Sequence, residues 1–345
     1  MIIHDNIHCL GEMKTRKSLC WIILLLVLLF LPPSSSASGA FPYFIPRGTG
    51  NTDPRGWTVV GGERDHVIQP KETLLDIARN YDLGFWELKA LYQELDAWIP
   101  PAGLKLKIPT TWILPKNLHE GIVINVPEMR LYFFIKSIQM VKTYPVGIGV
   151  LDGQTPFGKF FVTGKIEDPT WHIPLSIRRE YGGRGRIPPG PENPLGTHWI
   201  SLSRNGYGIH GTNFPWGVGR LVSHGCIRLY PEDIQNLYPL VRTGMPVEIV
   251  YEPIKFGFRG KRIFVEAHED IYHKIPDLLP YGFAQLEHYG LRDLVDLRKF
   301  TVALVERKGM PVDVTKTEKK KSLPINPTFS CEASLSANLP ISMNP

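Results

Sequence analysis

A chain of 345 residues is long enough for two or three packed units, and 43% hydrophobic residues are enough to fill their cores. Its 31 prolines and 32 glycines argue for loops and strands and against a helical protein. A net charge of +6 suits an anionic polymer, but no basic helix, zinc-finger spacing or aromatic RNA-binding block accompanies it, so no nucleic acid is expected as partner.

Taken in chain order, Lys14, Arg16 and Lys17 precede thirteen largely apolar residues, 19–31, and PPSSSASGA follows. Charged, apolar and small residues in that order form a secretory signal, and thirteen residues are too few to span a bilayer comfortably. Residues 1–40 are therefore expected to be a signal peptide, cleaved near Ala37 or Ala40 or else kept as an anchor, with the chain exported to the periplasm or cell envelope. Residues 41–64 are expected to be a linker. A short strand is then expected at 66–69, and Thr73 with Asp76 forms a capping box ahead of Leu74, Ile77, Ala78 and Tyr81 at helical spacing. Phe85, Leu88, Tyr92 and Leu95 mark a second helix, and residues 104–108 alternate leucine or isoleucine with lysine, as a half-buried strand does.

Strand, helix, helix and strand across residues 65–109 resemble a LysM module, a family that binds N-acetylglucosamine-containing glycans. The resemblance implies a peptidoglycan-binding module, but LYQELDAW, residues 91–98, lacks the asparagine common after the second helix, so a merely structural remnant of such a module stays open as the alternative.

Further along, two apolar runs between residues 122 and 135 flank Pro127 and Glu128 like a hairpin, and strands are expected at 142–150 and 158–165. The stretch 178–196 is dense in Gly, Pro and Arg, so an ordered loop or lid is expected there. Its Arg178, Arg179, Arg184 and Arg186 are either receivers of substrate carboxylates or solvated loop charges. Pro231, Glu232 and Asp233 open a helix, and Gly244 closes it before a last strand at 247–251.

Between these elements lie HGT at 210–212 and SHGCIRL at 223–229. A thiol is a poor nucleophile until an imidazole within hydrogen-bond reach takes its proton, and His210 or His224 could supply one to Cys226. If 223–229 is extended, His224, Cys226 and Arg228 share one face. Gly225 would let a substrate carbonyl approach the backbone N–H groups around Cys226, as an oxyanion hole requires. Arg228 would add a positive charge beside the thiolate or a substrate carboxylate. The plainer alternatives are a buried structural cysteine and a solvated arginine. Zinc would lack a fourth ligand and the paired CxxC spacing.

The stretch IHGTNFPWGVGRLVSHGCIRLYPEDI, residues 209–234, resembles the signature of the YkuD-type L,D-transpeptidases, in which an HGT block precedes an SHGC block by about a dozen residues. IVINVPEMRLYFF (122–134), TPFGKFFV (155–162), PTW (169–171) and PPGPENPLG (188–196) extend the resemblance over about residues 120–252. It implies an α+β, mainly β catalytic domain with a YkuD-like mixed sheet or β-sandwich. It makes Cys226 the nucleophile and His210 its base, with the Gly211 carbonyl orienting the His210 ring. His224 joins the catalytic set, while Ser223, Gly225 and Arg228 belong to the oxyanion pocket and substrate site. The implied reaction forms a thioester with a peptidoglycan stem peptide, releases D-alanine and passes the acyl group to an amine. That amine belongs to another stem, giving a 3–3 cross-link, or to an outer-membrane lipoprotein; no metal or organic cofactor is implied. A hydrolytic outcome, as a carboxypeptidase or lipoprotein-detaching enzyme, and a non-catalytic peptidoglycan-binding protein stay open as alternatives.

Cys9 and Cys20 would leave with the signal, so Cys226 and Cys331 remain. A disulfide would silence the nucleophile, and Cys226 is expected to stay reduced. Residues 253–314 are expected to form an appendage with a strand at 262–267 and one or two helices. TKTEKKKS opens a tail, residues 315–345, expected to be disordered.

Overall fold

The computed structural model describes residues 42–45, 58–116 and 120–317. The expected signal peptide with Cys9 and Cys20, and the tail after residue 317 with Cys331, lie outside the described residues.

The N-terminal unit comprises β1 (Tyr43–Phe44), β2 (Val59–Gly61), β3 (Arg64–Val67), α1 (Leu74–Asn80), α2 (Phe85–Lys89), β4 (Lys105–Ile108) and β5 (Thr111–Ile113). β3 pairs antiparallel with β4, and β2 with β5. The capping box at the start of α1 is formed on both sides: Asp76 N donates to Thr73 Oγ1 at 3.1 Å and Thr73 N to Asp76 Oδ2 at 3.0 Å. α2 is shorter than its apolar spacing suggests. Lys89 turns back to donate to the carbonyls of Gln93 and Leu95, so the chain leaves the helix there and Tyr92 and Leu95 pack from turns. The stretch 41–64, expected as a linker, supplies β1 and β2, because Val59 and Val60 are apolar enough to be buried.

A nine-stranded mixed sheet follows, with two short ribbons beside it, β9 (Ile148–Gly149) with β15 (Leu221–Ser223) and β11 (Trp171–His172) with β12 (Arg186–Ile187). Its strands are β6 (Gly121–Asn125), β7 (Arg130–Ile135), β8 (Met140–Pro145), β10 (Gly158–Glu167), β13 (His198–Leu202), β14 (Gly208–His210), β16 (Ile227–Arg228) and β17 (Pro246–Val250), with β1 at one edge. The order is β1-β8-β7-β6-β17-β10-β13-β14-β16. β6 with β17 and β14 with β16 run parallel, and the other pairs are antiparallel. The first half of β10 pairs with β17 and the second half with β13, with a register shift between Val162 and Gly164 that bends the sheet. Past its last strand, Arg228 and Gly147 exchange two backbone hydrogen bonds of 2.8 Å, so the sheet curls back towards the end of β8. This is the mainly β architecture expected, with few helices.

The near-continuous apolar character of β6 and β7 has a physical cause: both faces are covered. Ile122, Ile124, Leu131 and Phe133 face the core enclosed by the curled sheet, whereas Val123, Tyr132 and Phe134 face the N-terminal unit. α3 (Pro231–Leu237) packs Ile234 and Leu237 into that same core.

C-terminally, β18 (Ile254–Arg259), β19 (Arg262–Ala267) and β20 (Val312–Asp313) form a three-stranded sheet packed with α4 (Leu278–His288) and α5 (Leu297–Glu306). Packing continues past the expected start of the tail: Thr315 bridges to Val295, and its hydroxyl accepts from Ile263 N at 2.8 Å. Buried Lys255 joins the three units, donating to Glu128 at 2.8 Å, Glu266 at 2.7 Å and the Ile113 carbonyl at 2.6 Å. Glu128, Glu266 and His268 are close enough to gather a metal ion, but the Lys255 ammonium already supplies the cation there.

Candidate active site

β14 and β16 lie side by side with His210 opposite Arg228, and β13 places Trp199 opposite His210 on the other side. Cross-strand partners share a face, so indole, imidazole and guanidinium line up across three strands. The Trp199 and His210 rings stack at 5.4 Å and 22°. Below them opens a cavity of about 340 Å³, whose lining includes His210, His224, Cys226 and Arg228. One side of the cavity is an ordered segment that overlaps the start of the expected loop. A short ribbon, Trp171–His172 against Arg186–Ile187, carries a 3₁₀ turn at Leu175–Tyr181, and Ile173, Ile177 and Ile187 give it a small core of its own. Buried Asn193 shapes the adjoining Pro-rich loop, donating to the Pro169 carbonyl at 2.7 Å and accepting from Leu195 N at 2.9 Å.

His210 is buried, and its Nδ1 lies 2.7 Å from the Gly211 carbonyl. A carbonyl can only accept, so Nδ1 carries the hydrogen and Nε2 is the basic nitrogen. Burial, and next the Arg228 charge, push the His210 pKa down to about 3, against a smaller upward pull from the Gly211 and Leu195 carbonyls. Burial likewise holds the Cys226 thiol above its ordinary pKa, with Gly208 N–H and Arg228 pulling the other way. Both groups are thus neutral at rest.

Among the described residues, the Cys226 thiol donates to the Gly206 carbonyl at 3.5 Å. It does so rather than to His210, so the hydrogen bond expected between thiol and imidazole is not made in the resting geometry. Both side chains line the same cavity, and such contacts commonly tighten when substrate binds.

The run 223–229 is not one strand. A strand at Leu221–Ser223 ends in a bend at His224 and Gly225, and pairing resumes at Ile227. His224, Cys226 and Arg228 nevertheless all reach the cavity. Ser223, expected at the substrate, lines the same cavity and also staples this bend: its hydroxyl donates to the Cys226 carbonyl at 2.6 Å and accepts from Gly225 N at 3.1 Å. Gly225 has φ +108°, and a Cβ there would stand 2.6 Å from the Tyr207 ring. Its lack of a side chain therefore serves the bend and Tyr207, and its N–H is taken up by Ser223. Arg228 lines the cavity, and its buried Nε has no hydrogen-bond partner among the described residues. None of Arg178, Arg179, Arg184 and Arg186 lines the cavity. Arg178 donates to the Ile173 carbonyl at 3.3 Å, and the other three are exposed.

Trp199 and Tyr207 belong to this site but carry no motif. Trp199 could have been found only by pairing β13 with HGT in the right register, and Tyr207 only from the left-handed turn at Gly225.

Residues 119–249 match the family described as YkuD, the L,D-transpeptidase catalytic domain. The chain is 37% identical over 277 residues to the probable L,D-transpeptidase YcfS of Escherichia coli strain K12, covering 76% of this chain and 86% of that one. It is 36% identical over 270 residues to the probable L,D-transpeptidase ErfK/SrfK of the same strain, covering 73% and 84%. To the probable L,D-transpeptidase YbiS of that strain it is 40% identical over 205 residues, covering 56% and 65%. Likeness of this degree along most of both chains, joined to a cavity built from the HGT and SHGC blocks, makes this chain a member of the L,D-transpeptidase family with a YkuD catalytic domain.

Proposed function

We propose that this L,D-transpeptidase works through a Cys226 thioester with a peptidoglycan stem tetrapeptide. The observation that carries the reading is one cavity lined by Cys226, His210 and Arg228, with His210 held neutral and its Nε2 basic. As Cys226 Sγ attacks the carbonyl carbon at the L-centre of residue three, its proton passes to His210 Nε2. The C–N bond to D-alanine breaks, and the departing nitrogen takes that proton. An acceptor amine then attacks the thioester, gives its proton to His210 and expels the thiolate, which is reprotonated.

Neutral resting groups suit general-base attack, in which the proton leaves sulfur as the new bond forms. Arg228 receives a substrate carboxylate, its unpartnered Nε supporting that role. The acceptor is the side-chain amine of a neighbouring stem, giving a 3–3 cross-link, or the lysine of an outer-membrane lipoprotein. The LysM-like unit binds the glycan, and the basic and apolar N-terminus exports the chain to the envelope.

Incubating the enzyme with disaccharide-tetrapeptide and reading the products by mass tests this. A Cys226-dependent dimer lacking one terminal D-alanine is expected. Tripeptide alone would mean water is the acceptor, and unchanged substrate with intact enzyme would overturn the reading.

A further inference from the structure

We propose that Tyr272, contributed by the C-terminal appendage, is a positioning residue that holds the loop bracing the bend at His224 and Gly225. The proposal rests on Cys226 being the nucleophile.

Tyr272 lies between β19 and α4, and its side chain crosses into the catalytic core. Its hydroxyl donates to the Gly149 carbonyl at 2.7 Å and accepts from Thr155 N at 3.2 Å. One oxygen therefore ties both ends of the loop 149–155. Thr155 closes the same loop from inside, its buried hydroxyl accepting from Gly149 N at 3.0 Å. The loop then meets the nucleophile's own bend. Val150 N donates to the Ser223 carbonyl at 2.8 Å, and Ser223 staples Cys226 and Gly225 as described. Gly153 lies against the His224 backbone, and the Gln154 carbonyl against Gly225.

On its other side Tyr272 is held firmly. Its N–H donates to Tyr251 Oη at 2.9 Å, and the two rings stack at 6.1 Å and 18°. The Tyr251 hydroxyl donates to Asp270, whose carboxylate also accepts from Lys274 N at 2.9 Å and Ile275 N at 2.7 Å. A phenylalanine would fill the same space. What it could not do is satisfy the Gly149 carbonyl and Thr155 N–H, which burial denies to water.

The test compares the full chain with Tyr272→Phe, with Leu286→Ala and with Cys226→Ala. Leu286→Ala weakens the appendage core away from the loop. Acylation by a carbapenem is followed by intact mass: sulfur bonds to the lactam carbonyl carbon, the ring C–N bond breaks and nitrogen takes the thiol proton. Alkylation by iodoacetamide reports the thiol alone. Tyr272→Phe is expected to slow acylation about fivefold or more, the equivalent of one hydrogen bond, while alkylation stays within about twofold. Leu286→Ala is expected to lower the melting temperature and leave acylation unchanged.

Wild-type acylation by Tyr272→Phe would overturn the proposal, as would an equal loss in Leu286→Ala. If Tyr272→Phe does not fold, Thr155→Val takes its place, with Thr155→Ser expected to restore the rate and equal rates in all three overturning the proposal. Failure of the wild-type chain to acylate, or acylation of Cys226→Ala, would overturn the Cys226 reading and the proposal with it.

Discussion

Arg130 and Glu87 meet in a two-pronged ion pair across the boundary between the catalytic sheet and the N-terminal unit, Nη2 at 2.6 Å from Oε2 and Nε at 3.0 Å from Oε1. Glu87 also accepts from Gly84 N at 2.7 Å, and fully buried Arg130 lies over the Trp112 ring and donates to Thr143 and the Asp82 carbonyl. With Arg79 bidentate to Glu232 of α3, at 2.6 and 2.7 Å, the N-terminal unit is fastened to the catalytic domain at two charged points around an apolar contact.

Glu87→Ala removes the partner of a buried guanidinium. It should destabilise the chain by about 3–5 kcal/mol, far more than a surface pair would. Denaturant unfolding read by both tryptophan fluorescence and circular dichroism checks this. A loss below about 1 kcal/mol would mean that water replaces Glu87.

Neutral resting groups have a pH signature. Absorbance at 240 nm should show no thiolate step for Cys226 near neutrality, the rise coming above the ordinary thiol range because burial disfavours the charged form. A step near neutrality would instead indicate a thiolate–imidazolium pair. His210 also links pH to stability. Its folded pKa of about 3 lies below the unfolded value near 6.5, so the unfolded chain binds more protons across that window. Stability should therefore fall as pH drops from about 6.5 towards 3, by several kcal/mol at the lower end, and His210→Asn should flatten that slope.

Much of this site was legible in the sequence because its chemistry is concentrated in two short blocks. Cys226, His210, Gly211 and Arg228 were singled out by the resemblance of the HGT and SHGC blocks to the YkuD signature, whereas the Thr73 capping box needed only local preferences. What the sequence hid is what depends on distant pairing. Tyr207 shows its part only once Gly225 is seen at positive φ with the Tyr207 ring where a Cβ would stand. Tyr272 sits in a stretch with no motif, and its partners are 117 and 123 residues away.

Gly225→Ala should abolish turnover. The new Cβ meets Tyr207 at 2.6 Å in a backbone conformation that costs a non-glycine residue about 1–3 kcal/mol. Pairing it with Tyr207→Ala relieves the clash but not the backbone strain, so thermal stability should recover only in part. Full recovery of activity in the double variant would show that the conformation is not required.

Asp233 in α3 is buried, and among the described residues neither of its carboxylate oxygens has a hydrogen-bond partner. Burial, and next Asp82, hold its pKa well above the usual carboxylate range, so it is protonated in the fold. Stability linked to this group is full below the unfolded value near 3.9 and is lost as pH rises. Asp233→Asn should therefore stabilise the chain at pH 8 relative to wild type and make little difference at pH 4. Melting temperatures at the two pH values decide it, and destabilisation at pH 8 would mean that the carboxylate has a partner in solution.

The most direct test of the central claim is the intact mass of the enzyme quenched in acid during turnover on disaccharide-tetrapeptide, followed by peptide mapping. The account predicts an adduct equal to the substrate less D-alanine, carried on the peptide containing Cys226 and absent from Cys226→Ala. Cross-linked product formed by Cys226→Ala, with no adduct on the wild-type chain, would contradict it.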